Sequence, residues 1–447
     1  MKHIHIIIFF LITSIGFSQE EKNNFTLQEA IDYALENNRT AKNAALDIDA
    51  AKQQKWETTA TGLPQINAEV NYQNFLKQQV SVIPAEFFGG NQGEFAEVVF
   101  GTKQSATATA TLSQLLFDGS YLVGLQSAKV FLEISNNAKE KTDLEIRKAV
   151  INAYGNVLLA EESIIILERN ISVLEKNLSD TTKIYENGLE EEESVEQLKI
   201  TLSGIKSALN NANRLKDLAY KMLNITIGKS IEAPIKLNDT LSSLTTQNTV
   251  LSLLEADENV ENTIDFKIAE NDKTAKELLV KLEKSKALPT LSAFLNGGYS
   301  AFDNNFVFFD NSTKWFGSSL IGVNLNVPIF SSGKRSAATQ RAKINLEKSD
   351  LDLIETQERI KLQIATAKSN YQFAIEDYNN KTENLALAER IENKNQIKFF
   401  EGISSSFELR QAQTQLYTAQ NELLQTMLDV ITKKAELETV LNEIPKN

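Results

Sequence analysis

The fold is decided by a long stretch with a seven-residue apolar repeat. Residues 143–188 read DLEIRKAVINAYGNVLLAEESIIILERNISVLEKNLSDTTKIYENG, and the pattern continues to Leu223. The first apolar series is Val150, Val157, Ile164, Ile171, Leu178 and Tyr185, and the second is Ile146, Ala153, Ala160, Leu167 and Leu174. Two such series form the seam along which α-helices supercoil. Because the pattern resumes after Gly188, the stretch predicts two helices folded back as an antiparallel hairpin.

The same arrangement recurs further along the chain at a constant offset. Gly119 and Gly188 match Gly333 and Gly402, and the seam positions keep their register. The second seam runs through Ile364, Tyr371, Tyr378, Leu385, Leu409, Leu416 and Leu423. Two unrelated coiled coils would also share the heptad, but the paired glycine breaks favour an internal duplication.

Composition and charge exclude several classes of function. The chain has 447 residues with 46 basic and 59 acidic side chains, a formal net charge of -13, which argues against nucleic acid as a partner. It has no cysteine, and its two histidines are His3 and His5. Both histidines lie in a segment that we expect to be removed, so His-dependent nucleophilic catalysis and the usual zinc sites are excluded. The sequence therefore predicts a protein that is not an enzyme and has no cofactor or metal site.

The first 18 residues are typical of a secretory signal peptide. Lys2 supplies the positive charge, Ile4 to Leu11 form the apolar core, and Gly16 and Ser18 are small residues near the expected cleavage site. A membrane anchor is the alternative, but the apolar stretch is shorter than the ~20 residues that a span needs. No later apolar run is expected to span a membrane as a helix, so an exported protein of this kind must cross it with strands.

Each repeat contains a helix followed by two segments with a two-residue period. The first helix begins with a capping box at Thr26 and should end near Pro64. Apolar and polar residues then alternate in four segments: 66–72, 106–112, 291–295 and 321–327. The loops between paired segments, including about 84–101, are long and rich in phenylalanine. These loops either narrow an outer mouth or lie at a lipid interface.

Alternation alone does not separate a membrane sheet from a soluble sheet with one buried face. The signal peptide, the aromatic loops and the paired hairpins favour the membrane. Four strands cannot close a barrel, which needs about eight, so several copies must contribute to one barrel. The predicted division of the chain is a signal peptide at 1–18, a first repeat at 19–223 with its tip at 186–194, a connector at 224–259, a second repeat at 260–441 with its tip at 400–408, and a tail at 442–447.

Several motifs together resemble one protein family. They are the opening Thr26-Leu27-Gln28-Glu29-Ala30, the pairs Leu63-Pro64 and Leu288-Pro289, the strand exits Phe117-Asp118-Gly119 and Phe330-Ser331-Ser332-Gly333, and the duplicated tips around Gly188 and Gly402. In this order they resemble the TolC-like outer membrane efflux protein family over essentially the whole mature chain. The resemblance implies a mixed, mostly α fold. Long coiled-coil hairpins would form an α-helical barrel in the periplasm, and four transmembrane β-strands per chain would contribute to a shared trimeric β-barrel.

The resemblance also implies a function and its partners. The chain would be the outer membrane channel, or exit duct, of a tripartite efflux or type I secretion system. It would form a homotrimer in outer membrane lipid and conduct substrates passively. A periplasmic adaptor (membrane fusion) protein and an inner-membrane pump would deliver those substrates. The alternative is a periplasmic adaptor or structural coiled coil without a pore, but an adaptor is expected to carry one hairpin between compact β domains.

The hairpin tips are the predicted gate and adaptor-docking site. The family has two acidic gate positions after the second tip glycine, and here they are Glu408 and Gln411, so a doubled carboxylate ring is not retained. The first tip instead has a run of glutamates that predicts an acidic mouth for cations or basic adaptor residues, although any single glutamate is more typical of a solvated loop. The candidate site comprises Gly188, Glu190, Glu191, Glu192, Glu193, Ser194, Gly402, Ser404, Ser405, Ser406, Glu408 and Gln411.

Overall fold

A computed structural model describes residues 23–256 and 259–443. The predicted signal peptide at 1–18 and residues 444–447 of the predicted tail lie outside the described residues. The contacts divide the chain into two compact units. Unit 1 comprises Met1–Lys42, Asp143–Asp257 and Ile364–Asn447, and unit 2 comprises Asn43–Thr142 and Glu258–Gln363. Each unit contains segments from both sequence repeats. The compact units therefore do not coincide with the predicted repeats, and the division into repeats stays a prediction.

The described residues are mostly helical and carry antiparallel strands, as the sequence predicts. In chain order the elements are β1 (Asn24–Phe25), α1 (Leu27–Asn37), α2 (Arg39–Ala60), β2 (Gln65–Asn74), β3 (Val80–Pro84), β4 (Phe95–Val99), β5 (Gln104–Phe117), α3 (Gly119–Glu186), α4 (Glu192–Ile227), β6 (Lys236–Leu237), α5 (Leu241–Asn248), α6 (Ile264–Ser285), β7 (Thr290–Asp303), β8 (Phe316–Asn326), α7 (Lys334–Phe400) and α8 (Ser406–Leu441). The two predicted helical hairpins are α3–α4 and α7–α8.

The first predicted helix is interrupted at Asn38, which the sequence analysis missed. Asn38 has an extended backbone, with φ -60° and ψ 136°, and separates α1 from α2. Its side-chain oxygen accepts hydrogen bonds from the backbone N–H groups of Thr40 and Ala41, so it caps the start of α2. Its amide nitrogen donates to the carbonyl of Thr226 at 2.7 Å and ties the break to the end of α4.

The strands of unit 2 form one four-stranded antiparallel sheet in the order β2-β5-β7-β8. The central pairing of β5 with β7 joins the strand pairs of the two sequence repeats. One face of the sheet is largely apolar and includes Ile66, Val70 and Ile321, each at least 75% exposed. The opposite face carries mainly Asn, Thr and Ser side chains, and the Asn296 amide donates to the Thr111 hydroxyl there at 2.8 Å.

The predicted loop at about 84–101 contains regular structure, which corrects the expectation of a plain loop. The strands β3 and β4 pair as an antiparallel two-stranded sheet, with Val80 opposite Val99. A short 3-10 helix, Ala85–Phe88, follows β3 and leaves the Phe87 and Phe88 rings exposed. The phenylalanine-rich segment is therefore an ordered hairpin between β2 and β5.

Unit 1 has the main apolar core of the described residues. The core combines α1 with the middle of α3, the end of α4, α5 and the end of α8. Its fully buried members include Val150, Tyr154, Val157, Leu223 and Ile227. The Tyr154 hydroxyl lies 2.8 Å from the Asp239 carboxylate and 2.9 Å from the Phe25 carbonyl, so it anchors both the connector and the chain start to α3.

One helix of the described residues, α3, is long and apolar enough by composition to cross a membrane, contrary to the sequence expectation that no such run exists. Its apolar residues, including Val150, Val157 and Leu158, pack into the core of unit 1. A core helix can therefore pass the same length and hydropathy test as a membrane span.

Candidate functional site

Both hairpin tips turn through the same backbone motif. At the first tip Gly188 has φ +73°, and at the second Gly402 has φ +72°, a region that glycine adopts without a Cβ clash. The N–H of Leu189 bonds to the Ile184 carbonyl, and the N–H of Ile403 bonds to the Lys398 carbonyl. These bonds satisfy carbonyls at the ends of α3 and α7, as a Schellman motif does. Gly188 and Gly402 thus set two equivalent turns.

The glutamate run of the first tip begins α4 without a side-chain cap. Glu191 is the N-cap residue and makes no capping hydrogen bond. Glu192 and Glu193 lie exposed in the first turn, where negative charge interacts favourably with the helix dipole. Glu190 is half-buried and accepts a 2.6 Å hydrogen bond from the hydroxyl of the buried Ser194.

The second tip begins α8 with a complete capping box. The Ser405 hydroxyl accepts from the Glu408 N–H, and the Glu408 carboxylate accepts from the Ser405 N–H at 3.0 Å. The same carboxylate oxygen accepts from the Ser404 hydroxyl at 2.6 Å. These hydrogen bonds, that from Ser404 first, lower the pKa of Glu408. The carboxylate predicted for the gate is therefore also part of the capping box of its own helix.

The structure brings some predicted site residues together and separates others. Ser194 of the first tip and Ser406 of the second line one small internal cavity, which Phe399 and Leu409 also line. Gln411 is exposed and lines a groove between α7 and α8 beside Phe407 and Arg410. The Arg410 guanidinium lies 5.4 Å from the centre of the Phe407 ring. Glu408 does not line that groove, so the two family gate positions have different surroundings here.

Buried polar side chains behind the tips were missed by the sequence analysis. The Asn170 amide donates to Gln420 at 2.8 Å, and the Gln396 amide donates to Asn177 at 2.9 Å. Thr181 is fully buried, and its hydroxyl makes no hydrogen bond to the described residues. These contacts form polar layers between α3 on one side and α7 and α8 on the other.

Glu392 on α7 is the buried acidic residue of this region. The residue is 9% exposed, and burial raises the pKa of its carboxyl, an effect that the facing Gln413 amide partly offsets. Tyr417 lies nearby, and burial followed by the charge of Glu392 raises the pKa of its hydroxyl. Glu392 continues the seam of Tyr371, Tyr378 and Leu385 by one more heptad. The burial of Glu392 could therefore have been predicted from the heptad repeat.

Among residues 23–256 and 259–443, no group of three or more His, Cys, Asp or Glu side chains is arranged to hold a metal ion. The glutamates of the first tip project from a turn and the start of a helix, and two of them accept hydrogen bonds from Ser194 and Gln197. The tips therefore offer charge and hydrogen-bonding groups rather than a metal-binding cluster.

The model of the outer membrane efflux protein family matches residues 30–229 and 256–443. The chain belongs to this family. The match includes both hairpins, both tips and all four strands of the main sheet. An outer membrane efflux protein is an exit duct located in the outer membrane, and the family consists of channel proteins rather than enzymes.

Solved structures of outer membrane channels share the fold of this outer membrane efflux protein. The CusC channel is 18% identical with a TM-score of 0.73, over 93% of this chain and 91% of CusC. VceC of Vibrio cholerae is 16% identical with a TM-score of 0.71, over 93% of this chain and 95% of VceC. The open state of MtrE from Neisseria gonorrhoeae is 18% identical with a TM-score of 0.70, over 93% of this chain and 88% of MtrE. Comparison with curated proteins gives no match.

Proposed function

We propose that this outer membrane efflux protein works as a homotrimer that docks a periplasmic adaptor and receives substrates from an inner-membrane pump. The four strands of the sheet would lie in the outer membrane, and the helical hairpins would extend into the periplasm. Conduction through the channel would be passive, since the pump supplies the energy in an efflux or type I secretion system. The tips at 186–194 and 400–408 would form the closed end and contact the adaptor.

The open sheet of unit 2 is the observation that supports a closed oligomer, and the family resemblance supports three copies. Its outer strands β2 and β8 each pair with one neighbour within the described residues, so each leaves an edge. An open edge is not tolerated in lipid because its backbone groups lack hydrogen-bond partners. The exposed apolar face suits lipid, and the face of Asn, Thr and Ser suits water. Three copies joined edge to edge would pair every edge and exceed the minimum for a barrel.

The native mass of the protein in mild detergent tests the trimer. We expect three copies that resist dissociation, because β2 of one copy would bond to β8 of the next. The edge strand β2 offers a matched pair of variants: I66P would remove a backbone N–H donor of this strand, whereas I66V would keep it. A monomer for the unaltered protein, or release from cells without detergent, would contradict the proposal.

Two observations support a gate at the tips. Buried polar layers pair α3 with α7 and α8 in the parts of the hairpins that lead to the two turns. The MtrE channel, which shares the fold, has an open state. A channel that opens must also have a closed arrangement. The two turns lie outside the main apolar core, so they are the parts of the hairpins that can move most easily.

The gating role of Glu408 is testable with two substitutions that separate charge from capping. If the negative charge closes the tip, both E408A and E408Q should raise the resting single-channel conductance and the entry of antibiotics. If capping matters instead, E408A should act and E408Q should act much less, because its amide oxygen still accepts from Ser405. E401Q, which changes an exposed glutamate of the same turn, is the matched control.

Unchanged conductance and unchanged antibiotic susceptibility in both Glu408 variants would contradict any gating role for this residue. Q411E provides the reverse test, since it restores the second acidic family position. If acidic groups hold the tip closed, Q411E should leave channels closed for longer and so lower the resting conductance. No change in either quantity would show that position 411 takes no part in the gate.

A further inference from the structure

The four strands of the main sheet carry very few charged side chains. Within 65–74, 104–117, 290–303 and 316–326, the Asp, Glu, Lys and Arg residues are only Glu69 and Asp303. Asp303 is the last residue of β7, and its carboxylate accepts a 2.9 Å hydrogen bond from the Asn305 N–H at the following turn. Glu69 lies inside β2, away from either end.

The strand register places Glu69 on the polar face of the sheet. Glu69 pairs with Thr109 of β5, Thr109 pairs with Gly298 of β7, and Gly298 pairs with Ser318 of β8. Paired residues point to the same face of a sheet. Asp303 pairs with Gln104, in register with Ala106 and Ala301, and therefore belongs to the opposite face. Glu69 is the one charged side chain on the polar face of these four strands.

The row of residues that contains Glu69 has no large side chain beside it. Thr109, Gly298 and Ser318 are all small, and a Cβ on Gly298 would lie 2.6 Å from the carbonyl oxygen of Ala108. Glu69 is exposed, and the Asn71 amide donates to its Oε1 at 2.8 Å along the same face. Nothing in this row covers the carboxylate.

We propose that Glu69 sets the ion preference of the barrel interior. The inference rests on the proposed trimer, in which the polar faces of three sheets enclose water. Symmetry then puts three Glu69 carboxylates at one height in a lumen that the strands otherwise line with neutral groups. A ring of acidic side chains attracts cations and repels anions, and walls of low dielectric strengthen its field. Glu69 thus favours cationic solutes and slows anionic ones.

Reversal potentials in planar lipid bilayers under a KCl gradient test this role. We expect the unaltered channel to prefer K⁺ over Cl⁻ and E69Q to reduce that permeability ratio by about fivefold, the Boltzmann factor for two unit charges about 4 Å apart in water. E69K should favour Cl⁻. D303N is the matched control, since it removes a carboxylate from the other face of the same sheet and should leave the ratio unchanged.

Cysteine chemistry checks the orientation independently, because the chain contains no cysteine. In E69C channels, a cationic thiol reagent should shift the reversal potential towards anion preference, and an anionic reagent should shift it back towards cations. V70C, on the 79%-exposed apolar neighbour, should not respond to either water-soluble reagent. A response of V70C without a response of E69C would overturn the proposal.

The outcomes separate this inference from the proposed function. A conducting trimer with the same ion preference in the unaltered, E69Q and E69K proteins would overturn the role of Glu69 and leave the channel intact. A protein that forms no channel would overturn the proposed trimeric duct and this inference together. A ratio that falls in E69Q, reverses in E69K and is unchanged in D303N supports the proposal.

Discussion

The two ends of unit 1 are built from the same four helices but are held by different interactions. The connector half comprises 23–42, 143–166, 210–256, 364–384 and 423–443, and the tip half comprises 167–209 and 385–422. In the connector half a large apolar cluster joins α1, α3, α4, α5 and α8. In the tip half the apolar cluster centres on Leu174, Leu198 and Leu202, and polar layers surround it.

The difference indicates which end keeps its geometry and which end can rearrange. Close apolar packing is disrupted by small shifts of a helix, whereas polar side chains can exchange hydrogen-bond partners. Several buried polar atoms of the tip half, including Thr181 Oγ1 and Gln197 Oε1, bond to none of the described residues. Such groups lower the cost of local opening. We infer that the connector half is the fixed base and the tip half is the adjustable end.

The largest expected effect comes from breaking the buried ion pair of the connector half. Arg147 donates to Glu438 at 2.7 Å, and the two side chains are 13% and 5% exposed. R147M should lower the free energy of unfolding by about 3–5 kcal/mol, because it leaves a buried carboxylate without its main partner. Lys434, whose Nζ lies 3.6 Å from Glu438, remains as a partner of this carboxylate in R147M. The loss should therefore lie towards the lower end of that range. Urea unfolding, monitored by circular dichroism, measures this loss in the free energy of unfolding.

The matched control for R147M is an exposed ion pair in the tip half. Lys206 lies 2.7 Å from Glu175, and both side chains are about half exposed. K206M should cost less than about 1 kcal/mol, because water screens the pair and solvates the remaining carboxylate. Equal losses for R147M and K206M would contradict the contrast between the two halves.

Two fully buried leucines provide the second comparison. Leu223 belongs to the connector cluster and Leu174 to the tip cluster. Replacing a buried leucine with alanine costs about 2–5 kcal/mol, and the loss is smaller where neighbours can move into the cavity. L223A should lose more stability than L174A, which should lie near the lower end of this range. A loss for L174A that equals or exceeds that for L223A would show that the tip half is packed as rigidly as the connector half.

The smallest expected effect is a gain in stability from E392Q. Because burial raises the pKa of Glu392, folding favours its protonated form. That contribution is fully present below the unfolded pKa of about 4.3 and is lost as pH rises through the higher folded pKa. Glutamine stays neutral, so E392Q should be more stable than the unaltered protein at pH 7 and about as stable near pH 4.

Melting temperatures between pH 4 and pH 8 measure this gain. E389Q changes an exposed glutamate on the same helix and serves as the control, with no expected pH-dependent gain. A stability difference between E392Q and the unaltered protein that does not change with pH would contradict the account of Glu392.

The regular parts of the fold follow from sequence periods, and the irregular parts do not. Heptads predict α3, α4, α7 and α8, and alternation predicts the four strands, because each period reports one buried or lipid-facing side of an element. The pairing of β5 with β7 joins distant segments, which no local period encodes. The break at Asn38 depends on hydrogen bonds to Thr40, Ala41 and Thr226, and only the last of these lies far along the chain.

The helical turns at both tips follow from the sequence, whereas the hydrogen bonds around them do not. The glycines and glutamates of both tips are legible as helix breaks and charge. The pattern Ser405-Ser406-Phe407-Glu408 is also a capping-box sequence. The sequence prediction assigned Glu408 only to the gate and did not use this signal. The seam position of Glu392 was visible in the heptad as well, but its burial against Gln413 depends on how α7 meets α8.

Hydrogen exchange of the assembled protein tests most directly whether the tip half is the adjustable end. The measurement follows backbone amides by mass spectrometry in detergent, comparing peptides from 170–205 and 390–420 with peptides from 145–165 and 424–441. We predict that tip-half amides exchange faster, because local opening disturbs fewer apolar contacts there. Equal protection of the two sets, or faster exchange in the connector half, would contradict a fixed base with an adjustable tip.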